Sequence, residues 1–174
     1  APSFPSDWST QKTHSLSGSS DGSLTNYPIR LLIYRDGTTP ETGNIIQAGT
    51  TIQSDYDDLR FTDSNGNLLS YWIESSDTTS ATVWVKVPSI PTDGTDISVY
   101  YGNSVASSQS NGSNVFTFFD DMNSYQSGSW TKDGSITYGN SAATLTGGGK
   151  LTSTGQYGDN TAFGMKGSFT MSSY

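Results

Sequence analysis

Asp55, Asp57 and Asp58 fall within one tetrapeptide, and Asp120 and Asp121 are adjacent. Crowded side-chain oxygens suit a hard cation such as calcium, which takes about six to eight oxygen ligands, so both groups are candidate calcium ligands. The competing reading is a polar loop ahead of a strand for the first group and the start of a strand for the second. Asp63, Asn65 and Asn67 also alternate, inside "TDSNGN", as the early ligands of a calcium loop do. There the glycine falls too early and no bidentate glutamate closes the sequence, so the stretch reads as a turn.

Aromatic side chains offer a second chemistry. Sugar rings stack on Trp and Tyr while nearby Asp and Asn hold hydroxyls, and Trp72, Trp84, Tyr100 and Trp130 are the candidates for such a glycan platform. Aromatics of this size are more often packed under a second layer or a neighbouring subunit. Asn111-Gly112-Ser113 matches the N-glycosylation acceptor pattern, which predicts an exposed position. Catalysis finds no constellation. The single histidine, His14, lies in a polar run with no nucleophile or buried carboxylate to pair with. No carboxylate stands in a context that would raise its pKa. The lack of cysteine removes disulfides, thiolate chemistry and the common structural zinc sites. The chain is not expected to be an enzyme.

Charge narrows the partners further. A formal net charge of -8 repels a phosphate backbone and an anionic membrane surface alike, so no nucleic acid is expected. No apolar run approaches the roughly 20 residues of a spanning helix, so no membrane span is expected either. The start "APSFPSDW" fits a mature N-terminus left by signal removal and also a trimmed sequence; together with the composition it leads to the expectation of an extracellular or cell-surface protein.

The elements that must position these residues are strands. In "TVWVKVPSI" Val83, Val85 and Val87 point to one face and Trp84 and Lys86 to the other, the pattern of a half-buried strand. "DISVYYGN" repeats it with Ile97, Val99 and Tyr101 inward, and "YPIRLLIYRDG" gives an earlier strand ended by Asp36-Gly37. Leu59 and Phe61 alternate before the Asn-Gly loop and Leu69, Tyr71 and Ile73 after it, which predicts a hairpin. No window carries a helical period. The fold class is therefore all-β: an antiparallel β-sandwich of the jelly-roll or immunoglobulin-like kind, followed by a second, incomplete β-sandwich unit.

The blocks Trp8, "LTNYPIRLLI", "YDDLRFTDSNGNLLSYWIE", "ATVWVKVPSIP", "ISVYYGN" and "VFTFFDDM" resemble, in that order, the bacterial and archaeal extracellular domain family numbered 2341 among domains of unknown function. The resemblance runs from about Trp8 to Met122 and implies a β-sandwich module of long surface proteins, with no activity to carry onto any residue. From Phe118 onward, "FFDDM", "SGSWT" and "ATLTGGG" resemble the opening strands of concanavalin-like jelly rolls. Lectin-like folds often bind calcium near their first strand, which favours Asp120 and Asp121 over the earlier cluster.

The expected organisation is an extended arm over 1–11, a first sandwich over 12–104, a Ser/Gly/Asn linker over 105–115 and a lectin-like unit over 116–174, incomplete or completed by a neighbouring chain. The arm's Phe4 and Trp8 are read as pocket fillers for strand exchange with another subunit. The leading expectation is an extracellular structural subunit forming a fibre or surface layer as a homopolymer. The alternative is an adhesin or carbohydrate-binding module of a larger surface protein, with glycans as partners.

Overall fold

The computed structural model describes residues 6–155; Phe4 and the 156–174 part of the expected second unit lie outside the described residues. Two compact units divide the chain, Ala1–Phe119 and Asp120–Tyr174.

The first unit comprises β1 (Thr10–Leu16), β2 (Leu24–Tyr34), β3 (Ile45–Gln47), β4 (Arg60–Thr62), β5 (Tyr71–Ser76), β6 (Ser80–Ile90) and β7 (Thr95–Tyr101), with apolar alternation clearest in β6 and β7. They form a three-stranded sheet ordered β1-β7-β4 and a four-stranded sheet ordered β3-β2-β6-β5. Val83, Val85 and Val87 of β6 and Ile97, Val99 and Tyr101 of β7 are buried, as their alternation predicts. They meet Leu31, Ile33, Phe61 and Tyr71 in one core. The all-β sandwich is borne out. Helical structure is confined among the described residues to a 3-10 turn (Gly49–Thr51) and one turn of α-helix, α1 (Gly112–Val115), and no helix there is long and apolar enough to cross a membrane.

Three features depart from the sequence reading. The β2–β3 pair is parallel. A loop tied by Asp36, whose Oδ1 accepts from the Thr38 and Thr39 amides and from Gln47 Nε2, carries the chain back in the same direction. Second, the Asn-Gly hairpin is paired only next to its turn and then opens into a corner between the two sheets. β4 pairs with β7 in one sheet and β5 with β6 in the other, so Phe61 and Tyr71 approach across the core, ring centroids 5.4 Å apart. Only the bridge Thr62↔Leu68 joins the two arms next to the turn. Third, residues 105–115, read as a linker, are bound to the first sandwich. The Asn111 amide donates to Tyr71 O, the Ile73 amide to Ser110 Oγ and Arg60 Nη2 to Ser107 O, which lays the stretch along the edge of β5. The first unit accordingly continues to Phe119.

In the second unit, β8 (Trp130–Gly139) and β9 (Ala142–Ser153) form a two-stranded antiparallel sheet. Their connection is Asn140-Ser141, with φ of 54° and 56°. That two-residue left-handed turn matches the right-handed twist of paired strands.

Candidate functional site

The segment Gln53–Arg60 carries two of the buried charged or polar side chains among the described residues, Asp58 and Arg60. It is a tight turn in which Tyr56, at φ 63°, adopts a left-handed backbone, and the amides of Tyr56 and Leu59 donate to Gln53 O and Tyr56 O. Burial pushes the Tyr56 hydroxyl up to about 12. The turn directs Asp58 inward. Its side chain is fully buried, with Oδ1 accepting from the Gln53 amide at 3.1 Å and Oδ2 from the Gly102 and Asn103 amides at 2.6 and 3.2 Å. A carboxylate removed from water is tolerated when backbone donors replace its hydration. The backbone oxygen of the same residue accepts from Trp8 Nε1 at 2.6 Å.

Arg60 completes the arrangement at 5% exposure. Nη1 donates to Leu59 O at 2.6 Å and to Asp57 O at 3.0 Å, and Nη2 to Ser107 O at 2.8 Å. The guanidinium lies over the Trp8 ring, 5.2 Å from its centroid. A planar fork of donors can serve several fixed carbonyls at once. The Asp58–Arg60 cluster thus ties together the residues entering β1, those leaving β7 and the start of the 105–119 segment.

The calcium candidates are placed individually. Asp55 Oδ1 accepts from the Asp57 amide, and Asp58 is engaged as described. Asp120 accepts from the Met122 amide and from Trp130 Nε1, and Asp121 from the Asn123 amide. Among the described residues no three His, Cys, Asp or Glu side chains gather as a metal would require. Asp63 accepts from the Asn65 and Asn67 amides and from Asn67 Nδ2. Slight burial works to raise its pKa, but these bonds and that from the Gly66 amide outweigh it and hold the carboxyl below its usual range.

Of the glycan candidates, Trp72 and Trp84 are direct cross-strand partners on the outer face of the four-stranded sheet, and the chain's own Phe116 and Phe119 cover them. Trp72 meets Phe119 at 4.8 Å and Phe116 at 5.8 Å, Trp84 meets Phe116 at 5.5 Å, and Trp84 Nε1 donates to Glu74. The second-layer reading of these tryptophans is the one observed. Tyr100, opposite Gln11 and Arg60 on β7, and Trp130, opening β8, are partly exposed. Asn111 is exposed and caps α1, its side chain accepting from the Asn114 amide.

His14 lies on β1 opposite Ile97, in a cleft of about 270 Å³ that Lys12, Glu41 and Ile46 also line. Burial lowers its pKa, against the pull of Glu41 and Asp96. Lys12 Nζ pairs with Glu41 Oε1 at 2.6 Å.

The functional residues missed in the sequence are Arg60, Phe116 and Phe119. A signal for Arg60 existed: in "DDLRF" Asp58 and Arg60 alternate with Leu59 and Phe61 at the start of a strand, where charge on one side of a buried pair implies bonded partners.

The first unit is thus an all-β sandwich module. Residues 55–134 of the chain match the model of the family described as Domain of unknown function (DUF2341), the family its blocks resemble. The match begins at Asp55, in the turn that builds the Asp58–Arg60 cluster, and runs into β8. No curated protein and no solved structure matches the chain.

Proposed function

We propose that the chain is a structural subunit of an extracellular assembly that joins further copies of itself by β-strand pairing at the β8–β9 sheet. The observation carrying this reading is the exposed apolar Leu145 on a sheet that has two strands among the described residues. Leu145 lies on β9 and is 44% exposed. A two-stranded sheet is marginal in water until another strand or layer covers it, and open strand edges recruit strands. The arm contributes differently from the sequence expectation, since Trp8 is bound by its own chain through Asp58 and Arg60. The sheet has two different edges, and pairing β9 of one copy with β8 of the next is head-to-tail and need not close, so it generates filaments.

The test is negative-stain electron microscopy and light scattering of the full chain over a range of concentrations, beside Leu145→Lys, which puts a charge on the open sheet. Filaments or concentration-dependent association that the lysine suppresses would support the proposal. Monodisperse particles of both proteins at every concentration would refute it and bring the glycan-binding alternative forward.

A further inference from the structure

We infer that the Asp58–Arg60 cluster is a mechanical lock, closing the fork at which tension on the chain would peel β1 from β7. The inference rests on the structural-subunit reading above only in supplying the tension; the lock itself is argued from geometry.

β1 and β7 are antiparallel neighbours with Thr10 opposite Tyr101. The chain therefore enters β1 and leaves β7 side by side. Force applied before Thr10 and after Tyr101 pulls these two points apart and loads the ladder one pair at a time from that end. That geometry is weak, because each hydrogen bond in turn bears the whole load, whereas in shear all bonds share it.

The cluster stands ahead of the first pair on both sides of this fork. On the β1 side, Trp8 donates to Asp58 O and stacks on Arg60. On the β7 side, the Gly102 and Asn103 amides bind the Asp58 carboxylate, Gln53 Nε2 donates to Asn103 O and Arg60 holds Ser107 O. Both arms are fastened to a third segment that belongs to neither strand. Peeling cannot begin until one arm's bonds to Asp58 and Arg60 break together. Several of them are charge-assisted, and they converge on the buried Asp58 and Arg60 side chains, where the low dielectric strengthens them. Survival under load is set by the unfolding rate, and this is the step that the lock slows.

The chain has no cysteine, so force handles can be attached at chosen positions. One pair, Ser6→Cys with Val105→Cys, loads the fork. A second, Asp21→Cys with Thr78→Cys, loads β2 and β6 lengthwise and bypasses Asp58. At constant force, Trp8→Phe, which keeps a ring over Arg60 but removes the indole donor, and Asp58→Asn should each shorten the fork lifetime by about tenfold or more. Along the second axis the shortening should be several-fold smaller. Equal shortening on both axes, or no change at the fork, would overturn the inference. Should Asp58→Asn fail to fold, Trp8→Phe decides alone. Lifetimes are read on single isolated chains, so a chain that forms no filaments but shows the axis difference refutes the assembly reading and keeps the lock, and the reverse result does the opposite.

Discussion

Replacing Gly112 with alanine should destabilise the protein when Phe119 is present and stabilise it when Phe119 is gone. Gly112 is buried in the first position of α1, after its cap Asn111. A Cβ built there would overlap the Phe119 ring at Cε2, Cζ and Cδ2. The ring can yield only by leaving Trp72, 4.8 Å away, and its stack on Phe116, 6.2 Å away. Each such aromatic contact is worth about 0.5–1.5 kcal/mol, so displacement costs about 2 kcal/mol. Alanine in a helical backbone returns about 0.5 kcal/mol in a helix this short. The expected net loss for Gly112→Ala is about 1.5 kcal/mol. In a Phe119→Ala background only the helical gain remains, which makes the coupling between the two positions about 2 kcal/mol. Urea unfolding followed by tryptophan fluorescence, with Trp72 and Trp84 as native reporters, measures the cycle for all four proteins. The same sign in both backgrounds would show that Phe119 does not sit against Gly112 and would refute the account of how the 105–119 segment is held.

Arg60→Lys keeps the charge but gives up the fork, and one ammonium cannot serve Leu59 O, Asp57 O and Ser107 O together. A loss of about 2 kcal/mol in the same unfolding assay is expected, and a neutral result would mean that these carbonyls are satisfied without the guanidinium. His14 sets a pH dependence. Its folded pKa lies below the unfolded value of about 6.5 because burial disfavours the imidazolium more than Glu41 and Asp96 favour it. The unfolded chain therefore binds more protons below neutrality. The stability tied to His14 is full above about pH 6.5 and falls as the pH drops from there through the folded pKa. His14→Gln should flatten that part of a melting-temperature profile and leave the slope above pH 7.5 unchanged.

What the sequence revealed and what it hid divide along a physical line. Period-two alternation reports which side chains share a face, so the inward sets Val83, Val85, Val87 and Ile97, Val99, Tyr101 were legible, and so was the all-β class. It does not report which sheet a strand joins. Phe61 and Tyr71 both point to the core, and the same alternation around Asn-Gly serves a hairpin or a corner, because each buries both residues. Polar composition misled in a related way between 105 and 115. Ser, Asn and Gly suit a linker, but their short side chains and accessible backbone also suit a segment laid against the edge of β5, as Ser110 Oγ on the Ile73 amide demonstrates. At the candidate site, clustered carboxylates suit a cation or a polar loop alike, whereas Asp58 is used internally by backbone donors 44 and 45 residues away. Long-range pairings of that kind leave no mark in local spacing.

The Asp58–Arg60 pair of "YDDLRF" therefore follows the needs of a sandwich in which the strand that enters lies beside the strand that leaves. A strand that enters beside the strand that leaves gives the fold a common weak point, and apolar packing cannot close it, because the backbone groups just outside the ladder at Ser9 and at Gly102 to Ser107 still require partners. A carboxylate satisfies several amides at once and a guanidinium several carbonyls. Placed two residues apart, at the start of β4 beside β7, Asp58 and Arg60 serve the amides of Gly102 and Asn103 and the carbonyl of Ser107. An apolar pair of equal volume would fill the space and leave those groups without partners, a cost of about 1–3 kcal/mol for each buried one. The charged pair is thus accounted for by the backbone it satisfies, without invoking a ligand.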